Sequence, residues 1–501
     1  MNRMHCLVMA GLTCLGLAAC QKQAANAPTA PAAPVAKAPP PPGDEIVAAL
    51  PVIPEAKFNL LDFGGVGDYK TFNTDAFKNA IAAIAKAGGG HLIVPAGTYK
   101  TLPFTLTSHM DLHLEPGAII KAPETFADYG LPDPNQPLPP GAAMGGRGGR
   151  RGAGGPGGAP GGGPAGPGGP GGFGGRGLRP LITGDDITDV AITGSGTIDG
   201  SGAEFWMWSD KAARRYPPGR RVVGRPHLIT FNRVKRLHID GVTLTNAPMY
   251  ELVPSGDDMT FENLRIVAPS DSPNTDAIDP AGHRIVIRNC EIDNGDDNVA
   301  LHAGSTDILV ENLTCLHGHG ISVGSGTRGG LSHVVVRNCT FDGTDNGLRI
   351  KSYRGGGGEV KDFLYYNITM KNVRRPFDIN MRYNGNAGLS TDVGPREAEA
   401  GQTQNIPNFH DIHIKNLTVT RSPIAGRIVG IPEMMPNAIT FTDVKIQAVR
   451  GFLVQDAKDI TLDNVQIQVA LGEPVVTVNS TVNVNGVVKT GDSGGAPEPF
   501  Y

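Results

Sequence analysis

The feature that most constrains the fold of this chain is an internal repeat of short segments with the pattern apolar-x-apolar-x-Asn-apolar. Successive segments lie 21 to 29 residues apart, except for one step of 49 residues. Apolar residues at alternate positions predict strands with one buried face, and about three short strands per period are typical of stacked coils. The repeat therefore predicts an all-β fold, a right-handed parallel β-helix. The segments surround Gly241, Asn263, Asn289, Asn312, Asn338, Asn367, Asn416, Asp443 and Asn464.

The repeated asparagine is predicted to occupy a turn. Asn tolerates left-handed backbone, and identical side chains one coil apart can form amide ladders, so stacking is favoured over catalysis. Cys290 and Cys339 share one register and Cys315 keeps its parity, so we interpret the three as small buried apolar residues rather than a reactive site. The step of 49 residues holds either one irregular coil or a long loop over residues 384–408.

A stacked coil needs a cover over its first strands, whose free edges could otherwise pair with another molecule. Residues 74–87 have apolar side chains at helical spacing, with Asn73 or Thr74 as the N-cap and Gly88 directly after them. The pattern predicts a short N-terminal capping helix.

The β-helix is assigned to residues 55–501, with an insert at 141–177. That insert consists mainly of Gly, Pro and Arg and has almost no apolar residues. We expect a disordered surface loop, although its arginines could also contact polyanions.

The first 54 residues resemble an export signal followed by a spacer. Residues 1–19 carry one basic residue and an apolar run too short to span a bilayer. The run ends in Leu-Ala-Ala before Cys20, the pattern of a bacterial lipoprotein signal in which that cysteine is lipidated; the alternative is an ordinary secretory signal with a chance cysteine. Residues 20–54 are rich in Ala and Pro and predict an extended tether.

These features predict an exported lipoprotein at the outer membrane, on its periplasmic or cell-surface side. We expect a monomer that contacts the membrane only through its lipid. The formal net charge of −4 excludes a general polyanion binder, and no nucleic-acid partner is expected. If the substrate is acidic, a few placed cations must bind it.

Side chains that can carry chemistry fall at matching positions of neighbouring repeats. Counted from the repeat Asn, Asp296 and His319 both lie at +7, and Asp297 follows at +8. Asp276 and Lys351 both lie at +13 of their repeats. Because parallel strands stack about 4.8 Å apart, equal registers bring such side chains together on one face. Arg349 lies two positions before Lys351 and points to the same side.

This set of residues suits glycoside hydrolysis. Cleavage of a glycosidic bond needs a protonated carboxylic acid for the leaving oxygen and an ionised carboxylate for the water. Asp276, Asp296 and Asp297 cannot all ionise side by side without repulsion, so one of them is expected to keep its proton. Arg349 and Lys351 suit the carboxylate of an acidic sugar.

Four ordered motifs carry a resemblance to a known family. The segments NTD at 274–276, GDD at 295–297, GHG at 318–320 and RIK at 349–351 resemble the signatures of family 28 glycoside hydrolases, the polygalacturonases. The resemblance covers about residues 57–470. It implies a pectin-lyase-like solenoid and inverting, single-displacement hydrolysis of α-1,4-linked galacturonan in pectic polysaccharides or oligosaccharides, without a cofactor or metal. Since a tethered enzyme meets soluble fragments, we expect attack from chain ends.

The resemblance also implies roles for individual residues. Asp296 matches the general acid, Asp276 and Asp297 match the pair that activates water, and His319 matches the residue that supports the acid. The residues expected to contact or position the substrate are Arg349, Lys351, Tyr383 and Asn274.

This chain departs from the family pattern at three points. Ala277 replaces a glycine, the disulfide-forming cysteines of many relatives are absent, and His302 stands where the family commonly has lysine. His302 shares the +13 register with Asp276 and Lys351, so we expect it to reshape a sugar subsite.

Two other functions remain open at this point. A β-helix uronate lyase would need calcium-binding carboxylates and an arginine base, and its unsaturated products would absorb ultraviolet light. A β-helical carbohydrate-binding protein without catalysis is the second alternative, since a fold does not establish an activity.

Overall fold

The computed structural model describes residues 40–131, 178–209, 223–384, 393–397 and 404–492. The described residues from Pro42 onward belong to one compact unit. The predicted signal peptide, lipidation site Cys20 and insert at 141–177 lie outside the described residues. Among those described, no helix is long and apolar enough to cross a bilayer.

The described chain winds as a parallel β-helix, and its strands pair in parallel with the equivalent strands of neighbouring coils. The coil is right-handed, as parallel crossover connections are. Three sheets form its walls, and we call them the cleft sheet, the ladder sheet and the third sheet. The cleft sheet contains the strands Phe104–Thr105, Ile182–Asp185, Val299–Leu301, Ile321–Val323, Asn346–Lys351, Arg375–Asn380 and Val475–Val478.

The other two sheets follow the cleft sheet around each coil. The ladder sheet contains Lys57–Asn59, Gly90–Val94, Met110–Leu114, Thr188–Gly194, Ala281–Arg288, Ser305–Glu311, Leu331–Arg337 and Ser480–Val484. The third sheet contains Asp68–Phe72, Gly97–Lys100, Ala118–Lys121, Thr197–Asp199, Thr243–Thr245, Arg265–Val267, Glu291–Asp293, Thr314–Cys315 and Thr340–Asp342.

Longer strands bend from one sheet into the next. They are Ile229–Asp240, Leu252–Glu262, Glu359–Lys371, Asn408–Val429, Asn437–Gln455 and Ile460–Val469. At the C-terminal end Val487–Gly491 pairs antiparallel with the strand before it. The helices are Thr74–Ala87 and Ala203–Met207, with 3-10 turns at Leu60–Phe63 and Ala127–Tyr129.

Inward side chains of the three sheets stack into one apolar core. On the cleft sheet, for example, Val299, Ile321, Leu348 and Phe377 occupy one column and are each at most 4% exposed. Each of these strands turns alternate side chains toward this core, which explains the period-2 pattern in the sequence. The core therefore runs along the whole described coil, and the polar side chains that can carry chemistry lie on the outer faces of the sheets and in the turns.

The predicted asparagine ladder is present at the turn after the ladder sheet. The repeat asparagines have φ between 49° and 57°, the left-handed region. Asn312 Nδ2 donates to Asn289 Oδ1 at 3.0 Å, and Asn416 Nδ2 donates to Asn367 Oδ1 at 2.7 Å. The second bond shows that the 49-residue step is a long loop and contains no extra coil.

The capping helix and the buried cysteines also agree with the sequence. The helix Thr74–Ala87 ends at Gly88, whose φ is 85°, and it buries Phe77, Ala80, Ile81 and Ile84. Cys290, Cys315 and Cys339 are buried and free, and burial raises the pKa of each thiol, which makes them unreactive.

The prediction of a tether over residues 20–54 is wrong for its last part. Residues 42–54 form a strap along the outer face of the ladder sheet, where Ile46 and Ala48 pack against Val286, Leu309 and Val335. The prediction failed because it was based on the overall Ala and Pro content. That content does not show that Ile46 and Ala48 find apolar side chains on the outer face of the ladder sheet.

Polar contacts fasten the same strap over several coils. Arg337 donates to Pro42 O at 2.8 Å, the Ala49 N–H donates to Asp258 Oδ1 at 3.1 Å, and the Val52 N–H donates to Asp189 Oδ1 at 3.0 Å. Residues 20–39, the rest of the predicted tether, lie outside the described part of the chain.

Candidate active site

The predicted site residues meet on the outer face of the cleft sheet. Asp276, Asp296, Asp297 and His319 lie in the turns that lead from the third sheet into the cleft sheet, and Arg349 and Lys351 lie on the strand Asn346–Lys351. All five charged residues of this group are 3 to 7% exposed. Coil stacking thus places acids, a histidine and two cations from four coils in one cleft.

A buried amide network holds the three turns that carry the acids and His319. Asn294 Nδ2 donates to Thr275 O at 2.6 Å and to Asp297 O at 3.0 Å. Asn298 Nδ2 donates to Asn294 Oδ1 at 2.8 Å and to His317 O at 2.6 Å. Both asparagines are fully buried, so the positions of the carboxylates are fixed by satisfied hydrogen bonds in a dry environment.

The glycine before His319 is required by the same packing. Gly318 has φ of 105°, and a Cβ there would lie 2.3 Å from Asn294 Oδ1 and 2.5 Å from Asp296 O. A larger residue would push the turn away from the acids. The first glycine of the GHG motif is therefore structural.

Asp296 faces the histidine of the next coil. His319 Nδ1 lies 2.9 Å from Asp296 Oδ1, and the Asp297 N–H donates to the same oxygen at 3.1 Å. Asn274 Nδ2 lies 3.5 Å from the other oxygen, Oδ2. The side chains that face Asp296 are thus a histidine and a neutral amide.

Asp297 has the opposite surroundings. Lys351 Nζ lies 2.8 Å from its Oδ2, Arg349 Nη1 lies 3.5 Å from its Oδ1, and Ser322 Oγ donates to Oδ1 at 2.6 Å. Burial acts to raise the pKa of Asp297, but the charges of Lys351 and Arg349 outweigh it and hold the pKa below its ordinary value. This carboxylate stays ionised.

Asp276 lies one coil before Asp297. The N–H after it, from Ala277, donates to Asp297 O at 2.9 Å, which sets the two residues side by side. The charge of Asp276, followed by burial, raises the pKa of the neighbouring Tyr250 phenol, so the Tyr250 hydroxyl keeps its proton beside the carboxylate. The sequence analysis did not identify Tyr250.

His302 has a different partner from the one that its register suggested. The His302 backbone N–H donates to Pro280 O, and its ring Nε2 lies 3.4 Å from Asp279 Oδ2. The ring therefore pairs with Asp279 rather than facing Asp276. The turn lengths of the two repeats differ, which shifts the expected alignment. Burial raises the pKa of Asp279 to about 6, an effect that His302 opposes.

Tyr383 lies against the two cations. Its ring centroid is 5.3 Å from Arg349 Cζ and 5.6 Å from Lys351 Nζ, distances typical of cation–π contacts. The structure thus places Tyr383 at the cleft, where it covers the cationic end of the site.

Several residues of the site were not identified from the sequence. Ser322 binds Asp297, Asp345 Oδ2 lies 3.5 Å from His319 Nε2, and Arg225 Nη2 donates to Asn274 Oδ1 at 2.8 Å. Ser322 pairs with Arg349 in strand register, so a completed register alignment could have found it. No sequence signal marks Arg225, because it lies far from the motifs and outside the repeat.

The spacing of the acids also raises the question of a metal. Ligand atoms of Asp296, Asp297 and His319 lie within 4.8 Å of one another. The two oxygens of Asp297, however, already bind Lys351 and Arg349, and a divalent cation would face both charges at short range. These donors therefore fit an acid–base pair better than a metal centre.

The arrangement can perform acid–base chemistry on a bound substrate. One carboxyl, Asp296, faces a histidine and an amide, a second, Asp297, is kept ionised by two cations, and a third, Asp276, lies beside it with little solvent exposure. Two carboxyl groups in different protonation states are what hydrolysis of a glycosidic bond requires.

Comparisons with known proteins agree with this chemistry. Residues 175–448 match the model of the family described as "Glycosyl hydrolases family 28". A "Probable polygalacturonase" from Vitis vinifera is 30% identical over 452 residues, which cover 86% of this chain and 82% of that protein. An "Endo-polygalacturonase" from Pectobacterium carotovorum subsp. carotovorum is 34% identical over 279 residues, 53% of this chain and 64% of that protein.

A solved structure has the same architecture. The hyperthermoactive exopolygalacturonase from Thermotoga maritima superposes with a TM-score of 0.63 at 26% identity. The match covers 90% of this chain and 98% of that one. The similarity therefore extends over the whole coil as well as the motifs of the cleft.

Proposed function

The chain belongs to family 28 of the glycosyl hydrolases, and from that membership and the geometry of its cleft we propose that it hydrolyses α-1,4-galacturonosyl linkages of pectic polysaccharides or oligosaccharides. The observation that carries the proposal is the contrast between neighbouring acids. Asp297 is paired with two cations, whereas Asp296 faces His319 and Asn274. Asp297 can therefore serve as a base and Asp296 as an acid at the same glycosidic bond.

The proposed reaction is a single displacement. Asp296 gives its proton to the glycosidic oxygen as the bond from that oxygen to the anomeric carbon breaks. Asp276 and Asp297 position a water on the opposite face and take its proton as its oxygen bonds to the anomeric carbon. The configuration inverts, and His319 supports Asp296 when that residue becomes charged.

The cations of the cleft favour an acidic sugar. Lys351 and Arg349 hold Asp297 in the structure, and a sugar carboxylate that enters beside them would share the same charges. Tyr383 covers this end of the cleft with an aromatic face. We therefore assign the sugar next to the scissile bond as a galacturonate held by Arg349, Lys351 and Tyr383.

The direct test is product analysis on polygalacturonate with EDTA present. The proposal predicts new reducing ends and, by proton NMR of the first turnovers, a β-anomer from the α-linked substrate. Calcium-dependent products that absorb ultraviolet light would instead establish a lyase, and binding without products would establish a carbohydrate-binding protein.

We also propose that the enzyme acts at chain ends. In strand register Arg349 is followed on the outer face by Asp378, Arg427 and Leu453, and these three side chains are at most 1% exposed. The outer face of the coils beyond Arg349 is therefore covered, and it offers sugars no exposed side chains at these positions.

Residues 393–397 form a wall at this end of the cleft. Val393 forms a backbone bridge with Tyr383 and packs with Val429, Leu453 and Val478. Because a polymer cannot continue past a closed end, the wall supports release of short products. A slow loss of viscosity per bond cleaved is the expected result; a rapid loss would show internal cleavage.

The proposed location is the outer membrane, through a lipid on Cys20. The support is the Leu-Ala-Ala-Cys pattern at residues 17–20 and the spacer that follows it. Labelling with a fatty acid analogue in the wild type, and its loss in Cys20→Ala with release of the protein into the soluble fraction, would establish the anchor. Size-exclusion chromatography of the released form tests the expected monomer.

A further inference from the structure

Arg225 links three segments next to the acids. Its Nη2 donates to Asn274 Oδ1 at 2.8 Å, and its Nη1 donates to Pro248 O at 3.1 Å and to Pro273 O. A guanidinium offers only donors, so its partner atom on Asn274 must be the amide oxygen. The orientation of that amide is therefore set by chemistry.

The oriented amide presents its other end to Asp296. Asn274 has φ of 54°, a left-handed conformation that needs support from its surroundings, and its Nδ2 lies 3.5 Å from Asp296 Oδ2. The opposite oxygen, Oδ1, accepts from the Asp297 N–H and faces His319 Nδ1. The proton to be transferred is assigned to Oδ2, the oxygen that faces the Asn274 amide.

This contact changes in strength during the reaction. While Oδ2 holds a proton, the amide N–H has a weak acceptor; when the proton moves to the glycosidic oxygen, negative charge develops on Oδ2. A donor that gains strength only as charge develops lowers the barrier, and a guanidinium on the amide oxygen polarises that donor further.

We propose that Arg225 is a positioning residue that fixes the Asn274 amide so that its NH2 group stabilises the charge developing on Asp296 during proton transfer. This inference rests on the proposed function, in which Asp296 is the general acid. It adds a residue outside the four motifs to the machinery that controls the acid.

The sharpest test replaces the NH2 donor of Asn274 with an acceptor. Asn274→Asp keeps the size of the side chain and its contact with Arg225, but a carboxylate oxygen then faces Asp296 in place of the NH2 group. Because a lost donor and a nearby negative charge both favour the protonated acid, the pKa of Asp296 should rise. The basic limb of kcat against pH should move to higher pH, and kcat at the optimum should fall about 100-fold.

Arg225→Met should act through the same amide. We expect kcat to fall about tenfold or more with KM within about twofold, the basic limb to move in the same direction, and Arg225→Lys to restore part of kcat. In an Asn274→Ala background Arg225→Met should cost little more, since the two residues act as one unit. Arg233→Met, which removes an exposed ion pair with Asp186, is the matched control and should leave kcat unchanged.

The outcomes separate the inference from the proposed function. If the wild type releases no reducing ends from any uronide substrate, the function itself is wrong. If the wild type is active but Asn274→Asp folds and keeps its basic limb in place, Arg225 and Asn274 do not control the acid. Independent, additive losses in the double variant would contradict the inference in the same way.

Discussion

At the scale of single residues, the site depends on two adjacent aspartates that differ in their neighbours. Matched registers in the repeat predicted that Asp296 and His319 would meet, and they lie 2.9 Å apart. The registers alone could not show which aspartate is ionised, because the deciding groups, Ser322 and Lys351, come from later coils, and only the family resemblance assigned Asp296 as the acid. The registers also misplaced His302, since the turns that set its partner differ in length between repeats.

Lys351 is expected to set the acid limb of the activity profile. The pKa of Asp297 lies below its ordinary value, so its ionised form persists as the pH falls. Lys351→Met removes a cation at 2.8 Å and should raise that pKa, which moves the acid limb of kcat/KM to higher pH. We expect a loss of about 100-fold in kcat/KM near the optimum, measured as reducing-end release.

The control for this prediction is Lys371→Met. Lys371 also pairs with an aspartate, Asp342, at 2.9 Å, but both side chains are more than a third exposed and lie away from the cleft. Its pH profile should match that of the wild type. An unchanged acid limb in Lys351→Met would show that Lys351 does not hold Asp297 ionised.

At the scale of elements, the repeat predicted the strands and the asparagine ladder, and the helical spacing at residues 74–87 predicted the capping helix, because each follows from a local pattern. Neither pattern predicted the strap at residues 42–54 or the wall at residues 393–397. Both are short segments without periodicity, and both are held by side chains distant in sequence. Such contacts are invisible until the coils are stacked.

The strap should contribute to stability through its inward side chains. Ile46 is 5% exposed, whereas its neighbour Val47 is 66% exposed. Ile46→Ala should lower the free energy of unfolding by about 2 kcal/mol, and Val47→Ala by less than about 0.5 kcal/mol. Equal effects of the two variants in thermal or urea unfolding would show that the strap is not packed on the ladder sheet.

The wall should set the position of cleavage along the polymer. Arg354 donates to Glu433 at 2.8 and 2.9 Å, to Pro395 O at 3.1 Å and to Arg396 O at 2.6 Å, so one buried side chain holds the segment. Arg354→Gln should loosen the wall and raise the viscosity loss per bond cleaved about threefold or more, by opening the cleft to internal sugars.

Two further variants make the wall prediction decisive. Glu433→Gln removes the charge partner with less risk to folding and should give a smaller change in the same direction. Arg328→Gln, which removes an exposed contact to Gly355 O at 2.8 Å, should leave the viscosity loss per bond cleaved unchanged. If both wall variants fold and keep the wild-type viscosity loss per bond cleaved, the wall does not determine where the polysaccharide is cut.

At the scale of the whole molecule, function follows from stacking. Residues between Asp276 and Lys351 span 76 positions of sequence, yet strand pairing brings them to one face of the coil. A chain with formal net charge −4 concentrates cations beside its acids in a single cleft, which suits an acidic polymer better than overall attraction would. The fold supplies position, and the surroundings of each carboxyl supply its protonation state.

The most direct test of this account is turnover of polygalacturonate by Asp296→Asn with EDTA present. The control is Asp293→Asn, three positions earlier on the third sheet, where Asp293 pairs with His317 at 2.6 Å. The account predicts that Asp296→Asn folds and binds oligogalacturonate but loses at least about 1,000-fold in kcat, while Asp293→Asn keeps wild-type kcat. A folded Asp296→Asn with kcat within tenfold of the wild type would contradict it.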